Sequence, residues 1–179
     1  PSGDPSCFSP PVAIRVVARV AIEVVLSVVS KNNLECHQNI SCMIKITIQK
    51  FRRVIDACNA YNAKKRNPRS CCGDVIGHDN ITIWCPTEGH AMWGNEICNG
   101  GDFIKEHSTK SGAKRLSHVN LILSKYRNET RITFIKKKGS RKYQFIGVYQ
   151  LDVNATQNSL KTNAPACYWV RRPDLYKVE

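Results

Sequence analysis

Asp102, Lys105, Glu106 and Lys110 lie on one short segment and are the residue types that can hold Mg²⁺ beside a scissile phosphate. Two acids next to lysines are more often solvated ion pairs, so a metal-dependent nuclease is an alternative reading here and not the main one. His90, His107 and His118 have side chains that titrate near neutral pH, yet the sequence gives none of them an evident partner. No G-x-S-x-G, P-loop or H-E-x-x-H is present. The nine cysteines, Cys7, Cys36, Cys42, Cys58, Cys71, Cys72, Cys85, Cys98 and Cys167, form an odd set without a C-x₂-C pair. A zinc site is therefore not expected, nor is any cofactor, and the adjacent Cys71 and Cys72 read as two ordinary thiols.

Charge carries the stronger signal. Among 179 residues, 27 are Lys or Arg and 14 are Asp or Glu, a formal net charge of +13. Residues 103–147 hold 12 basic against 2 acidic side chains, so a net +10 falls in one quarter of the chain. This concentration fits a polyanionic partner, DNA or RNA, because each phosphate neutralised releases condensed counterions. Lys105, Lys110, Lys114, Arg115, Arg131, Lys136, Lys137, Lys138, Arg141 and Lys142 are the candidate phosphate contacts. Tyr126, Phe134, Tyr143, Phe145 and Tyr149 are interleaved with them and have planes on which bases stack, although aromatics in strands more often fill a core.

Four N-glycosylation sequons begin at Asn39, Asn80, Asn128 and Asn154. They keep open a second class of protein, secreted, glycosylated, disulfide-bonded and cationic. Three of the four fall at or beside apparent strands, where a glycan competes with pairing. Free, buried thiols inside a cell, nuclear or cytoplasmic, are the favoured expectation. No window carries the roughly 18 uncharged apolar residues of a membrane span, so no membrane partner is expected.

The elements that must position these residues divide in two. The first residue is Pro, so the sequence reads as a fragment, a processed form or an incomplete gene product. Over residues 12–29 a Val/Ile-rich stretch is interrupted by Arg15, Arg19, Glu23 and Ser27 at four-residue intervals, which predicts an amphipathic helix. Ile44, Ile48, Phe51, Ile55 and Cys58 share one helical face, predicting a second helix over about 46–62, although Ile44 to Ile48 also alternates like a strand. The polar stretch 62–77 reads as a linker, making 1–77 a helical extension and 78–179 the principal domain. There the pattern becomes short strands at 81–85, 103–106, 131–136, 143–152 and 167–171, with one helix over 117–126. The pair 131–136 and 143–151 reads as a β-hairpin across a Lys-Gly-Ser turn. The expected class is α+β, a small, mostly antiparallel barrel behind a helical extension.

Ile97-Cys-Asn-Gly-Gly-Asp102, Arg131-Ile-Thr-Phe-Ile135, Ser140 to Asp152 and Tyr168-Trp-Val-Arg-Arg172 together resemble the SET-and-RING-associated (SRA) domain of the PUA-like barrels, over about residues 80–175. The resemblance implies a crescent-shaped barrel that holds DNA on a basic concave face and takes a modified cytosine out of the stack. A flipped cytosine needs aromatic planes on both sides and acceptors for its amino group. Trp84, Trp93, Phe145 and Tyr149 are candidates for the planes, with Phe103, Tyr168 and Trp169 beside them, and Asp102 or Glu106 for the acceptor. One departure stands out: the family's Tyr-Asp-Gly falls at Phe145-Ile146-Gly147, so base reading through that acid is lost. A nucleic-acid-binding module, DNA before RNA, is the reading that results.

Overall fold

The computed structural model describes residues 43–110 and 112–179. The helix expected over 12–29 lies outside these residues. The chain forms β1 (Ile44–Ile46), β2 (Lys50–Phe51), α1 (Val54–Ala60), β3 (Ala63–Lys65), β4 (Cys72–Val75), β5 (Ile81–Trp84), β6 (Trp93–Cys98) and β7 (Phe103–Ser108). It continues through α2 (Gly112–Lys125), β8 (Thr130–Ile135), β9 (Tyr143–Leu151), α3 (Val153–Ser159), β10 (Cys167–Arg171) and β11 (Tyr176–Val178).

Nine strands make one sheet in the order β3-β4-β5-β8-β9-β10-β7-β6, with β2 paired to the start of β9. Among the described residues, only the β5–β8 pairing in this sheet is parallel. β1 and β11 form a separate parallel pair. The expected barrel is thus corrected to an open sheet, because β3 and β6 are its two edges and do not pair with each other.

The central strands are buried on both faces, and successive side chains feed two separate cores. In β5, Ile83 joins one core with Phe51, Cys58, Tyr61, Ile132 and Phe134, while Trp84 joins another with Ile104, Val119, Ile122, Tyr149 and Trp169. Helix α1 packs by β3 and β4, and α2 and α3 pack by β7 and β10. The strand β9 switches faces at a bulge between Thr133 and Phe134 of its partner, which leaves Ile146 without an opposite residue. Gly147 sits there at φ +148°, and a Cβ on it would meet Arg171 Cδ at 2.9 Å. Glycine is required at that point by both conformation and space.

Two N-terminal expectations are corrected. Of the helix over 46–62 only Val54–Ala60 forms, since the alternating β-branched run pairs as strands with β11 and β9 instead. The linker over 62–77 is the β3–β4 hairpin at the sheet edge, registered Lys64 to Asp74. The helix over 117–126 starts earlier, at Gly112, so Lys114 and Arg115 are helical. Helix α3 is built from weak helix formers and depends on its N-cap, where Asp152 Oδ1 accepts from Ala155 N at 2.9 Å.

Candidate nucleic-acid interface

A cavity of about 460 Å³ opens between the β3–β4 segment, the β5–β6 loop, β7 and α2. Its buried lining includes Trp84, Asn95 and Glu106, with Trp93 and His118 half-buried. Asn67, Arg69, His90 and Met92 are its exposed members, and Lys65 is half-buried. The ladder explains the grouping. Residues two apart on a strand share a face, so Trp93 and Asn95 of β6 point the same way, and the register sets Asn95 directly opposite Glu106 of β7. Asn95 Nδ2 donates to Thr87 O at 3.2 Å, fixing the amide. Trp93 stacks obliquely on His118 of α2, with ring centroids 4.5 Å apart.

Glu106 is the electrostatic centre. Its Oε2 accepts from Trp169 Nε1 at 2.9 Å and from Arg131 Nη1 at 3.3 Å. Its Oε1 lies 3.5 Å from His118 Nε2. Burial would raise this carboxyl, but His118 and Arg131 outweigh it and hold it down to about 2. Arg131 Nε also donates to Glu129 Oε2 at 3.0 Å, and Glu129 Oε1 accepts from Arg66 and from Thr82 Oγ1. Arg66 in turn donates to Asp74 at 2.8 Å. Five side chains of alternating sign therefore run from the cavity to the β3–β4 hairpin.

Basic segments meet near the exposed side of the cavity. The β8–β9 turn carries Lys136 to Lys142 and is tied to the β5–β6 loop, with Lys136 N donating to Pro86 O at 3.0 Å and Lys138 N to Glu88 Oε2 at 3.1 Å. Lys136 Nζ lies 5.2 Å from the ring of the cavity residue Tyr143. Lys137, Lys138, Arg141 and Lys142 are exposed, and among the described residues none of them forms an ion pair. Thr109 binds the opposite end of the loop, its N–H to Met92 O at 3.1 Å and its hydroxyl to Ala91 O at 2.6 Å, and Lys110, next in the chain, is exposed, as is Lys114 on α2.

Several expected site residues are elsewhere. Arg131 is 1% exposed and reaches no phosphate. Lys105 is half-buried on β7 and paired with Glu96 at 3.4 Å, and Arg115 is half-buried on α2. Trp84 and Trp93 do share the cavity, but Asp102 does not: it is exposed and bonded to Arg171 at 2.6 Å. Phe145 packs in the first core against Phe134 and Tyr176. Tyr149 is buried and donates its hydroxyl to Gly101 O at 2.6 Å. The carboxylates of a nuclease-like segment are thus separated, one solvated and one enclosed. Glu106, His118 and Cys167 have ligand atoms within 4.8 Å of one another, but Arg131 already holds this carboxylate and would repel a cation. The six described cysteines are unbonded, with Cys71 and Cys72 Sγ atoms 3.9 Å apart.

Asn95 and the role of His118 were not legible from the sequence. Asn95 is set between Gly94 and Glu96, and only the ladder to Glu106 marks it.

The family model of the SET and RING associated domain matches residues 35–168. No curated protein matches the chain in sequence. Among solved structures, one titled "The 5-Hydroxymethylcytosine-Specific Restriction Enzyme AbaSI" shares the fold, with a TM-score of 0.50 and 22% identity over 69% of this chain. The match spans 38% of that enzyme's chain.

Proposed function

The chain belongs to the SET and RING associated domain family, and from that premise we propose that it binds duplex DNA and receives a base swung out of the stack in the Trp84–Trp93 cavity. A cytosine substituted at C5 is the favoured occupant. The observation that carries this reading is that two indoles and an enclosed, charged carboxylate line the same cavity. Indole planes are what an unstacked base packs on, and a carboxylate accepts from the cytosine amino group. The cavity volume lies within the range of roughly 300–1,000 Å³ typical of small-molecule pockets, which leaves room for a substituent. The relative whose title names 5-hydroxymethylcytosine supports this substituent class. Lys65, Arg69 and the Lys137 to Lys142 turn would hold the flanking phosphates, together with Lys110 and Lys114.

Anisotropy titrations with duplexes carrying one central cytosine, 5-methylcytosine or 5-hydroxymethylcytosine test the proposal. Affinity should fall steeply with salt, and a substituted base should be preferred by about tenfold or more. Absent or salt-independent binding to both DNA and RNA refutes it. Stronger binding to unstructured RNA than to any duplex would reassign the cavity to RNA.

A further inference from the structure

Arg131 has 2% of its side chain exposed, and no phosphate can reach it. Burying a cation is costly unless it is paired, so its partners indicate its use. The guanidinium carbon lies 3.5 Å from the ring centroid of Trp169 and 4.7 Å from that of Trp84. Its Nε is taken by Glu129 and its Nη1 by Glu106 Oε2. Because Trp169 Nε1 donates to that same Oε2, both sites on this oxygen are used, and Oε1 is the oxygen with capacity to spare. His118 Nε2, 3.5 Å away, has no hydrogen-bond partner of its own.

We propose that Arg131 is the positioning residue that fixes Glu106 as a pure acceptor towards the cavity, so that the site selects a base bearing an exocyclic amine over the same base bearing a carbonyl. The proposal rests on the reading of the cavity as a base pocket. A carboxylate only accepts, and so it takes the amine of cytosine and repels the carbonyl oxygen at the same position of uracil. A carboxylic acid can donate, and the preference is then lost. An enclosed carboxyl without a cation takes up a proton. The groups that face Glu106 are His118 from α2, Arg131 from β8, Cys167 from β10 and Cys71 before β4, with the neutral Asn95 on β6. Of these, Arg131 alone carries a charge that no accessible pH removes.

Two duplexes test it, carrying a single 5-hydroxymethylcytosine or 5-hydroxymethyluracil opposite an abasic site, so that neither base has pairing to lose. The native protein should prefer the amine by at least about tenfold. Arg131→Met, with its fold checked by near-UV circular dichroism, should bring the preference to within about threefold at about pH 6 and regain it by about pH 9, as the carboxyl, left with only Trp169 and His118 beside it, ionises. Arg131→Lys keeps the charge and should stay nearer the native ratio at both values. A folded Arg131→Met that keeps the native ratio at both pH values overturns the proposal. Should Arg131→Met not fold, the side-chain carboxyl carbon resonance of Glu106, assigned against Glu106→Gln in ¹³C-glutamate-labelled native protein, decides instead. An ionised shift from about pH 5 to about pH 8 is expected, and a protonated one at about pH 6 overturns the proposal. Equal binding of both duplexes by native protein whose Glu106 resonance is that of a carboxylate marks a different failure, that of the base pocket itself, and takes the proposal with it.

Discussion

Gly94 of β6 faces His107 of β7 so closely that a Cβ at residue 94 would lie 2.1 Å from the imidazole Cε1. The ring occupies the space that a side chain would need. Because Gly94 separates Trp93 from Asn95, the contact governs the geometry of the cavity wall as well as the local packing. Gly94→Ala should force the ring aside or part the strands, destabilising the fold by about 1–3 kcal/mol. It should also weaken binding to a pocketed base without changing the salt dependence. Urea unfolding and anisotropy check both. An unchanged midpoint and affinity would show that His107 swings away freely.

Trp93 is the more exposed of the two cavity indoles. Trp93→Ala should weaken binding of a base-containing duplex by about 1–3 kcal/mol, and Trp93→Phe by less, while a duplex with an abasic target should bind both variants as it binds the native protein. Equal losses on the two duplexes would place Trp93 outside the base site.

Lys137 and Lys138 are exposed and form no ion pair among the described residues, so their loss should leave stability unchanged. If each neutralises a phosphate, Lys137→Ala with Lys138→Ala should reduce the slope of log affinity against log salt by about 2, with equal weakening on every sequence. A change confined to one sequence would argue against backbone contact.

Glu106 is held down to about 2 in the folded chain, below the ordinary carboxylate value it has when unfolded. The folded state therefore binds its proton less readily, and the stabilisation is complete above the unfolded value. It is lost as pH falls through the folded value, between about pH 4.5 and about pH 2. Glu106→Gln should remove this part of the acid sensitivity, on the order of 3 kcal/mol, and flatten the curve in that window. Thermal unfolding across the acid range measures it. A mutant with the native acid slope would locate the sensitivity in other carboxylates.

Strands with strong β-formers and clear turns were legible in the sequence. Cys167–Arg171 matches its expected bounds, and the hairpin of β8 and β9 lies within a residue of its expected limits. Strand β6 was not legible, because Trp-Gly-Asn-Glu-Ile-Cys lacks the alternation that marks a half-buried strand, and its pairing with β7 supplies what its composition does not. Strands β3 and β4, rich in Lys, Gly and Asp, read as a linker for the same reason. At the cavity, Trp84, Trp93 and Glu106 were among the candidates that the family resemblance and residue type together offered, but not singled out from them. Arg131 could not be placed, since a basic residue within a cationic run gives no sign that it is enclosed between two indoles. Nor could Asp102, whose partner Arg171 lies 69 residues away.

The run Glu106, Arg131, Glu129, Arg66, Asp74 resembles a row of magnets set with alternating poles, anchored inside and free at its outer end. Deleting the solvated Asp74 leaves its neighbour Arg66 still held by Glu129, whereas deleting Glu129 takes a carboxylate from two guanidinium groups at once, one of them sealed from solvent and left with Glu106 alone. Tolerance to substitution should therefore rise link by link towards the surface. Drift in sequence has latitude at the hairpin and almost none beside the cavity.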